Sequence, residues 1–350
     1  MPIPTEPVGS IPRPPELVEG MKGNLPADRM ESLLDAAVRD TIRRFEETGS
    51  PVITDGEQRK PSFATYPIHG ADNVGPGGVT IPFADGHTRQ LPVLTRGPFR
   101  YATYASSYLD GAKKYAHAPL KQAVIAASAL SLLYPQAGIP GYTREAFLDD
   151  LVREAQTDVR RCLDSGAKVV QIDFTEGRLA VKLDPSKKLL ESFVDLNNRV
   201  LAGFSEEERR RLGVHTCPGG DQDSTHSADV DYADLLPSLF RLNVGNFYVQ
   251  LASEKDRPRV LRILGEHARG DRRVFVGVTD PIDPKIETAE QVRDRVLEAA
   301  KFIDPGHLGT TDDCGFSPFG DDTSTSRDTA FAKIRARVAG TEMAARALGV

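Results

Sequence analysis

The sequence predicts an α/β protein, specifically a (β/α)8 barrel of the TIM type. Short apolar runs typical of buried strands alternate with longer amphipathic runs typical of helices, which is the pattern of a parallel sheet. Eight such strands can be counted over 350 residues, a length that suits one barrel. A doubly wound open sheet is the alternative, but the chain has no G-x-G-x-x-G or Walker A segment to favour it. We expect residues 1–350 to form a single catalytic barrel domain.

The N-terminal third supplies two strands, one helix and an interruption. Residues 7–11 and 51–55 are the predicted strands, and apolar residues at helical spacing predict a helix over 28–48. Residues 62–104 are rich in glycine and proline and contain TIPFADGHTRQLPVLT, which predicts a hairpin around Asp85 and Gly86. We interpret residues 62–104 as a hairpin insertion or small subdomain.

From residue 123 onward, strands and helices alternate regularly. The predicted strands are 123–127, 168–174, 212–217, 246–251, 273–278 and 306–311. The predicted helices are 143–165, 186–202, 232–240, 257–268, 289–302 and 329–348. With the two N-terminal strands, these complete the count of eight.

Charge and composition exclude several classes of function. A formal net charge of −6 offers no basic surface for nucleic acid or an anionic membrane. No apolar run approaches the roughly 18 residues of a membrane span, and the N-terminus lacks the features of a signal peptide. Three cysteines cannot form a disulfide framework and suit a reducing compartment. We expect a soluble, cytoplasmic protein.

A candidate metal site lies where predicted strands end, which is where a barrel places its catalytic residues. His215 and Cys217 are two residues apart, so a strand points both side chains to the same face. Cys314 follows the eighth strand and can complete the site from across the barrel mouth. Three nitrogen and sulfur ligands are typical of catalytic zinc, and thiolates argue against magnesium or calcium. The alternative is an inert buried cysteine beside a core histidine, and Cys162, in mid-helix, is interpreted as structural.

Six motifs in order extend this observation: VGSIPRP (8–14), TDGEQRK (54–60), VVQIDF (169–174), VHTC (214–217), GVTDPIDPKIETAEQV (277–292) and DDCGF (312–316). Together they resemble the cobalamin-independent methionine synthase family in its C-terminal catalytic barrel, as a short, core-only branch. The resemblance covers most of the chain apart from residues 60–120. It implies a (β/α)8 barrel that binds Zn²⁺ and transfers a methyl group to the thiol of homocysteine.

The resemblance also implies residue roles. His215, Cys217 and Cys314 match the zinc ligands of the family. Glu57 and Asp173 match the carboxylates that hold the amino group of homocysteine. Ser10, with the backbone at Val8, matches the element that binds the carboxylate of the amino acid.

Three departures concern the metal and the methyl donor. Gln250 stands where the family has a fourth, glutamate ligand, with Glu254 as a substitute under another register. The family's histidine after the seventh strand, which protonates the folate leaving group, is missing. Asp283 and His226 are the remaining candidates for this acid, and the loop of His226 is expected at the surface. The chain has no tryptophan to pack against a pterin.

The sequence therefore favours a zinc-dependent thiol alkyltransferase, most simply one that makes methionine from homocysteine. The donor stays open: folate, another methyl compound, or methylcobalamin, either free or delivered by a corrinoid partner protein. One alternative is an enzyme similar to epoxyalkane:coenzyme M transferases, although Glu57 and Asp173 suit an amine better than a sulfonate. Another is a non-catalytic relative that binds an amino acid or a metal.

Overall fold

A computed structural model describes residues 3–23 and 25–350. In these residues the strands are β1 (Val74–Gly75), β2 (Thr80–Pro82), β3 (Thr88–Gln90), β4 (Val93–Leu94), β5 (Lys121–Ile125), β6 (Val169–Asp173), β7 (Leu212–Thr216), β8 (Gly220–Asp221), β9 (Ser224–Thr225), β10 (Asn246–Val249), β11 (Arg273–Thr279) and β12 (Leu308–Asp312). The α-helices are α1 (Pro15–Lys22), α2 (Ala27–Glu47), α3 (Ser106–Ala112), α4 (Ala127–Leu130), α5 (Arg144–Asp164), α6 (Glu176–Leu183), α7 (Lys188–Leu201), α8 (Glu206–Arg209), α9 (Leu236–Leu239), α10 (Arg257–His267), α11 (Ala289–Ala299) and α12 (Arg327–Leu348).

The centre of the fold is a six-stranded parallel sheet in the order β12-β11-β10-β7-β6-β5. At its two edges, Thr5 forms a bridge with Thr310 and Ile53 forms a bridge with Leu120, both in the parallel sense. The N–H of Ile11 donates to the carbonyl of Gly56 at 3.0 Å, which joins these two outer segments. The predicted barrel is therefore confirmed, with six regular strands and two N-terminal segments that complete the ring.

The two N-terminal strands are wrong as predicted, because residues 51–55 form a single bridge at Ile53 and the bridge at Thr5 lies before residues 7–11. Pro7 and Pro51 begin the two predicted runs, and proline has no N–H to donate to a strand ladder. The third predicted strand, 123–127, is shifted, since β5 starts at Lys121 and α4 begins at Ala127. Helix α6 was not predicted.

Lys121 explains the shift of β5, because its charged side chain points into the barrel. Its Nζ donates to the carbonyl of Pro7 at 2.9 Å and lies 3.3 Å from the centre of the Tyr248 ring. The hydroxyl of Tyr248 donates to Glu6 at 2.5 Å, and its ring stacks on Phe275. The interior of the barrel thus carries a buried polar layer, while the larger apolar core lies between the strands and the surrounding helices.

Strands β2 and β3 pair antiparallel and form the predicted hairpin around Asp85 and Gly86. Its tip reaches the barrel, where the N–H of Ala84 donates to the carbonyl of Thr225 at 2.9 Å. The interpretation of residues 62–104 as an inserted unit within one domain stays a prediction. Among residues 3–23 and 25–350, no helix combines the length and the hydrophobicity needed to cross a membrane.

Candidate metal centre and the cavity above it

The ends of β7 and β12 bring together His215, Cys217 and Cys314. One ligand atom from each of the three lies within 4.8 Å of the others. The two sulfur atoms are 2.9 Å apart. His215 and Cys217 are buried, and Cys314 is partly exposed to a cavity at the barrel mouth. The convergence predicted from strand period and barrel closure is therefore present.

The hydrogen bonds of His215 leave one ring nitrogen available for a ligand. Its Nδ1 lies 3.2 Å from the carbonyl oxygen of Tyr248, so Nδ1 carries the hydrogen and donates it. Its Nε2 is buried and has no hydrogen-bond partner among the described residues. A backbone carbonyl that fixes the tautomer in this way is typical of metal-binding histidines.

The pKa values of the two thiols are shifted in opposite directions. Burial raises the pKa of Cys217 well above its ordinary value. The hydrogen bond from Cys217 lowers the pKa of Cys314 well below it, against the effect of burial. One histidine nitrogen and two sulfurs, one of them readily ionised, fit the donor set of zinc.

The Pro-Gly-Gly segment after Cys217 positions both the cluster and His226. Gly219 has a φ of +71°, and a Cβ there would lie 1.7 Å from Nε2 of His226. The N–H of Gly219 points to the sulfur of Cys217 at 3.4 Å. Only glycine permits this backbone conformation together with so close an approach of the imidazole.

His226 is buried although its loop is partly exposed, so the expected surface position of this histidine is wrong. Phe83 of the hairpin packs edge-on against its ring at 5.6 Å, and the ring lines the cavity. Burial lowers the pKa of His226 to about 4, which leaves the imidazole neutral at pH 7. Local sequence could not reveal this burial, because the covering residue is about 140 positions away.

Glu57 and Asp173 line the same cavity, and both are buried. Glu57 accepts a hydrogen bond from Lys60 at 2.9 Å, and Asp173 accepts one from Gln171 at 2.7 Å. Burial and the charge of Glu57 raise the pKa of Asp173 to about 6. Burial alone would lower the pKa of Lys60, but Glu57 and Asp173 raise it. The buried Lys60, which sequence reasoning missed, therefore pairs with Glu57 and acts on Asp173 through its charge alone.

Val8 and Ser10 lie on the cavity wall beside the Cys314 loop. The carbonyl of Val8 accepts from Gln171 at 3.0 Å, and the hydroxyl of Ser10 accepts from the N–H of Ser317 at 3.2 Å. Both predicted positions thus face the cavity that contains the metal cluster.

Arg13 holds the loops around the site together, and sequence reasoning also missed it. Its guanidinium donates to the carbonyls of Glu57 and Lys60 on one side and of Ser317 and Phe319 on the other. Its place in the VGSIPRP motif is the only sequence signal.

Gln250 is buried just after β10, the neighbour of β7, and both ends of its amide are hydrogen-bonded. Its Oε1 accepts from Arg178 at 3.3 Å, and its Nε2 donates to Ser253 at 2.7 Å. Arg178 also pairs with Glu254 at 2.8 Å. The role of Gln250 as a metal ligand stays a prediction.

Asp283 lies at the surface, where it accepts the N–H of Lys285 at 2.9 Å. It is not among the described residues that line the cavity. Its role as an acid stays a prediction, as does that of His226.

The cavity has a volume of about 620 Å³ and extends from the cluster to the hairpin. His215 and Cys314 form one end, and Glu57 and Asp173 lie on its walls. The site therefore combines a soft-metal donor set, two carboxylates and room for two small substrates.

A family model matches most of the chain. The sequence model described as "Cobalamin-independent synthase, Catalytic domain" matches residues 3–338. The methionine synthase of Sulfurisphaera tokodaii is 23% identical and covers 97% of this chain and 92% of its own length. That of Sulfolobus acidocaldarius is 24% identical and covers 89% and 85%.

Solved structures with related names share the fold. A B12-independent methionine synthase from Shewanella sp. W3-18-1, in complex with selenomethionine, is similar with a TM-score of 0.78, 20% identity and 99% coverage of both chains. A putative vitamin-B12 independent methionine synthase from Listeria monocytogenes has a TM-score of 0.70, 19% identity and coverage of 99% and 98%.

Proposed function

The chain belongs to the cobalamin-independent methionine synthase family, and from this we propose that it is a zinc-dependent enzyme that methylates the thiol of homocysteine. The observation that carries the proposal is the cluster of His215, Cys217 and Cys314 at one end of a cavity whose walls bear Glu57 and Asp173. Cysteine sulfur binds a metal only while it is not oxidised to a disulfide. We therefore expect the protein to work in the reducing cytoplasm.

His215, Cys217 and Cys314 would hold the zinc ion. A bound zinc ion would keep the substrate thiol deprotonated at neutral pH, where a free thiol of pKa about 8.5 is mostly protonated. The hydrogen bond from His215 to Tyr248 keeps Nε2 free of a proton for this purpose. Gln250 is neutral and already hydrogen-bonded, which favours a centre with three protein ligands and an open position.

The two carboxylates would orient the amino acid. The ammonium group of homocysteine would pair with Glu57 and Asp173, and its charge would favour the ionised form of Asp173. Ser10 and the backbone near Val8 would receive its carboxylate. Anchoring both ends fixes the direction of the sulfur, and such positioning is worth several kcal/mol in a transfer reaction.

In the transfer itself, the sulfur lone pair forms a bond to the methyl carbon. The bond between that carbon and the donor breaks at the same time, and the leaving group takes its electron pair. These residues do not identify the donor, because this chain has no histidine at the position where the family has the one that protonates folate.

Metal analysis combined with a homocysteine methylation assay tests the proposal. We expect about one zinc ion per chain, and loss of metal from Cys217→Ser with a rate at least about a thousand-fold lower. Cys162→Ala is the matched control, since Cys162 is buried in α5 away from the cluster. A metal-free protein that still methylates homocysteine would refute the proposal.

A further inference from the structure

The roof of the cavity is apolar and comes from two parts of the chain. Ile81 in β2 and Phe83 just after it are two residues apart and both face the cavity, and Leu91, just after β3, faces it as well. Helices α1 and α2 complete the wall with Met21, Met30 and Leu34. We call this part of the cavity the upper chamber.

The arginines that border the upper chamber are already paired. Arg89 and Arg59 are the only lysine or arginine side chains among the described lining residues. Arg89 pairs with Asp221 and Asp321. Arg59 pairs with Glu31 on α2. An anion that entered the chamber would compete with these carboxylates for the guanidinium groups.

The charges at the cavity wall still sum to a negative value. Glu57, Asp173 and Asp321 line it, and Glu57 pairs with the buried Lys60 as Asp321 pairs with Arg89. With Asp221 and Glu31, five carboxylates therefore stand against the three cations Arg59, Arg89 and Lys60. Phe63 and Phe319 also line it and pack edge to face with ring centres 5.6 Å apart, and the Arg89 guanidinium lies 4.4 Å from the centre of the Phe319 ring. Apolar and aromatic walls with nearby carboxylates favour a neutral or positively charged apolar group, and they disfavour an anion.

We infer that the upper chamber binds the alkyl donor of the proposed reaction through its apolar surface, and that it selects a neutral or cationic donor over an anionic one. This inference rests on the proposed function for the identity of the occupant as the donor. A cationic donor, such as a sulfonium or a quaternary ammonium compound, leaves as a neutral molecule when its methyl group is transferred. Its departure therefore needs no proton donor.

Three small probes that share one apolar group test the selection without any turnover. Pivalamide is neutral, tert-butylammonium is cationic and pivalate is anionic, and all three carry a tert-butyl group. Binding to the zinc-loaded protein is measured by ligand-observed NMR titration. We expect pivalamide and tert-butylammonium to bind, and pivalate to bind at least about ten-fold more weakly.

A positive charge added to the chamber should weaken this preference. Met30→Lys is close to isosteric and places a cation on the wall, so it should shift the ratio of pivalate to tert-butylammonium affinity about ten-fold towards pivalate. Ala36→Lys adds the same charge to an exposed position of α2 that does not line the cavity, and it should leave the ratio unchanged.

The inference is overturned if pivalate binds as tightly as pivalamide, if pivalamide does not bind, or if Ala36→Lys shifts the ratio as much as Met30→Lys. None of these results depends on turnover or on homocysteine. Failure of the proposed function would instead appear in the metal content and the methylation assay.

Discussion

The guanidinium of Arg89 forms a two-pronged ion pair with Asp221, through Nε at 2.5 Å and a terminal nitrogen at 3.1 Å. Arg89 lies on the hairpin, and Asp221 follows the Pro-Gly-Gly segment of the metal site. Asp221 is buried, whereas about a quarter of the Arg89 side chain is exposed. The hairpin is therefore fastened directly to the loop that carries Cys217 and Gly219.

Arg89→Met should release this fastening while keeping much of the side-chain volume. Loss of one partner of a fully buried pair costs about 3–5 kcal/mol, and partial exposure of Arg89 reduces the expected loss of unfolding free energy to about 2 kcal/mol. The KM for the donor should rise more than that for homocysteine, since the hairpin roofs the upper chamber. Urea unfolding and steady-state kinetics measure these effects. Arg96→Met removes an exposed pair with Asp72 in the same segment, and a similar loss there would contradict the explanation.

The metal cluster could be predicted because its geometry follows from general rules. A strand places His215 and Cys217 on one face, and a closed barrel brings the end of β12 near the end of β7. The carboxylates Glu57 and Asp173 followed from the family resemblance, since both residues lie within its motifs. None of these inferences needed the details of side-chain packing.

The buried cations could not be predicted, because their partners are distant in sequence and often lie on the backbone. Arg13 binds four carbonyls from two loops, and Arg178 binds Glu254 and the carbonyl of Val230. Lys121 interrupts an apolar pattern for the same reason. The spacing of hydrophobic residues along the sequence carries no information about such contacts.

Asp158 should make the stability of the protein depend on pH. Its carboxylate accepts the hydroxyl of Tyr66 at 2.5 Å and the N–H of Ala105 at 2.7 Å, which anchors these residues to α5. Burial raises the pKa of Asp158 to about 6, above the value of about 3.9 expected in the unfolded chain. The folded state therefore holds the proton more tightly, and this contribution to stability is lost as the pH rises through about 6.

The difference in unfolding free energy between the wild type and Asp158→Asn measures this effect. The stability of the wild type relative to Asp158→Asn should be about 2 kcal/mol greater at pH 4.5 than at pH 7.5. Urea unfolding at both pH values gives the two differences. Asp149→Asn, at an exposed position of the same helix, should show no such change. An equal pH dependence in both variants would rule out Asp158 as the cause.

Gln250→Ala separates the two roles open to this residue. Because Arg178 and Ser253 occupy both ends of the amide, we expect the variant to keep its zinc and to lose about 1 kcal/mol of stability per hydrogen bond removed. Metal analysis after dialysis against a weak chelator, with thermal unfolding of the same samples, gives both results. Loss of zinc comparable to that of Cys217→Ser would instead make Gln250 a ligand.

Gly219→Ala should disturb the metal site in two ways, through backbone strain at its positive φ and through a collision of the new Cβ with His226. The φ of +71° costs an alanine about 1–2 kcal/mol, and a Cβ 1.7 Å from the His226 ring adds a collision. Gly270→Ala carries a similar φ of +64° with nothing within 4 Å of the new Cβ, so it isolates the backbone term.

We expect Gly219→Ala to cost at least about 1 kcal/mol more than Gly270→Ala and to weaken zinc retention, because the N–H of Gly219 points to the sulfur of Cys217. The double variant Gly219→Ala/His226→Ala removes the collision and should recover part of both losses, a coupling that a double-mutant cycle of unfolding free energies measures. If the two substitutions are instead additive, the imidazole yields freely to the new Cβ. The glycine would then be required for its φ alone, and His226 would not hold the metal loop in place.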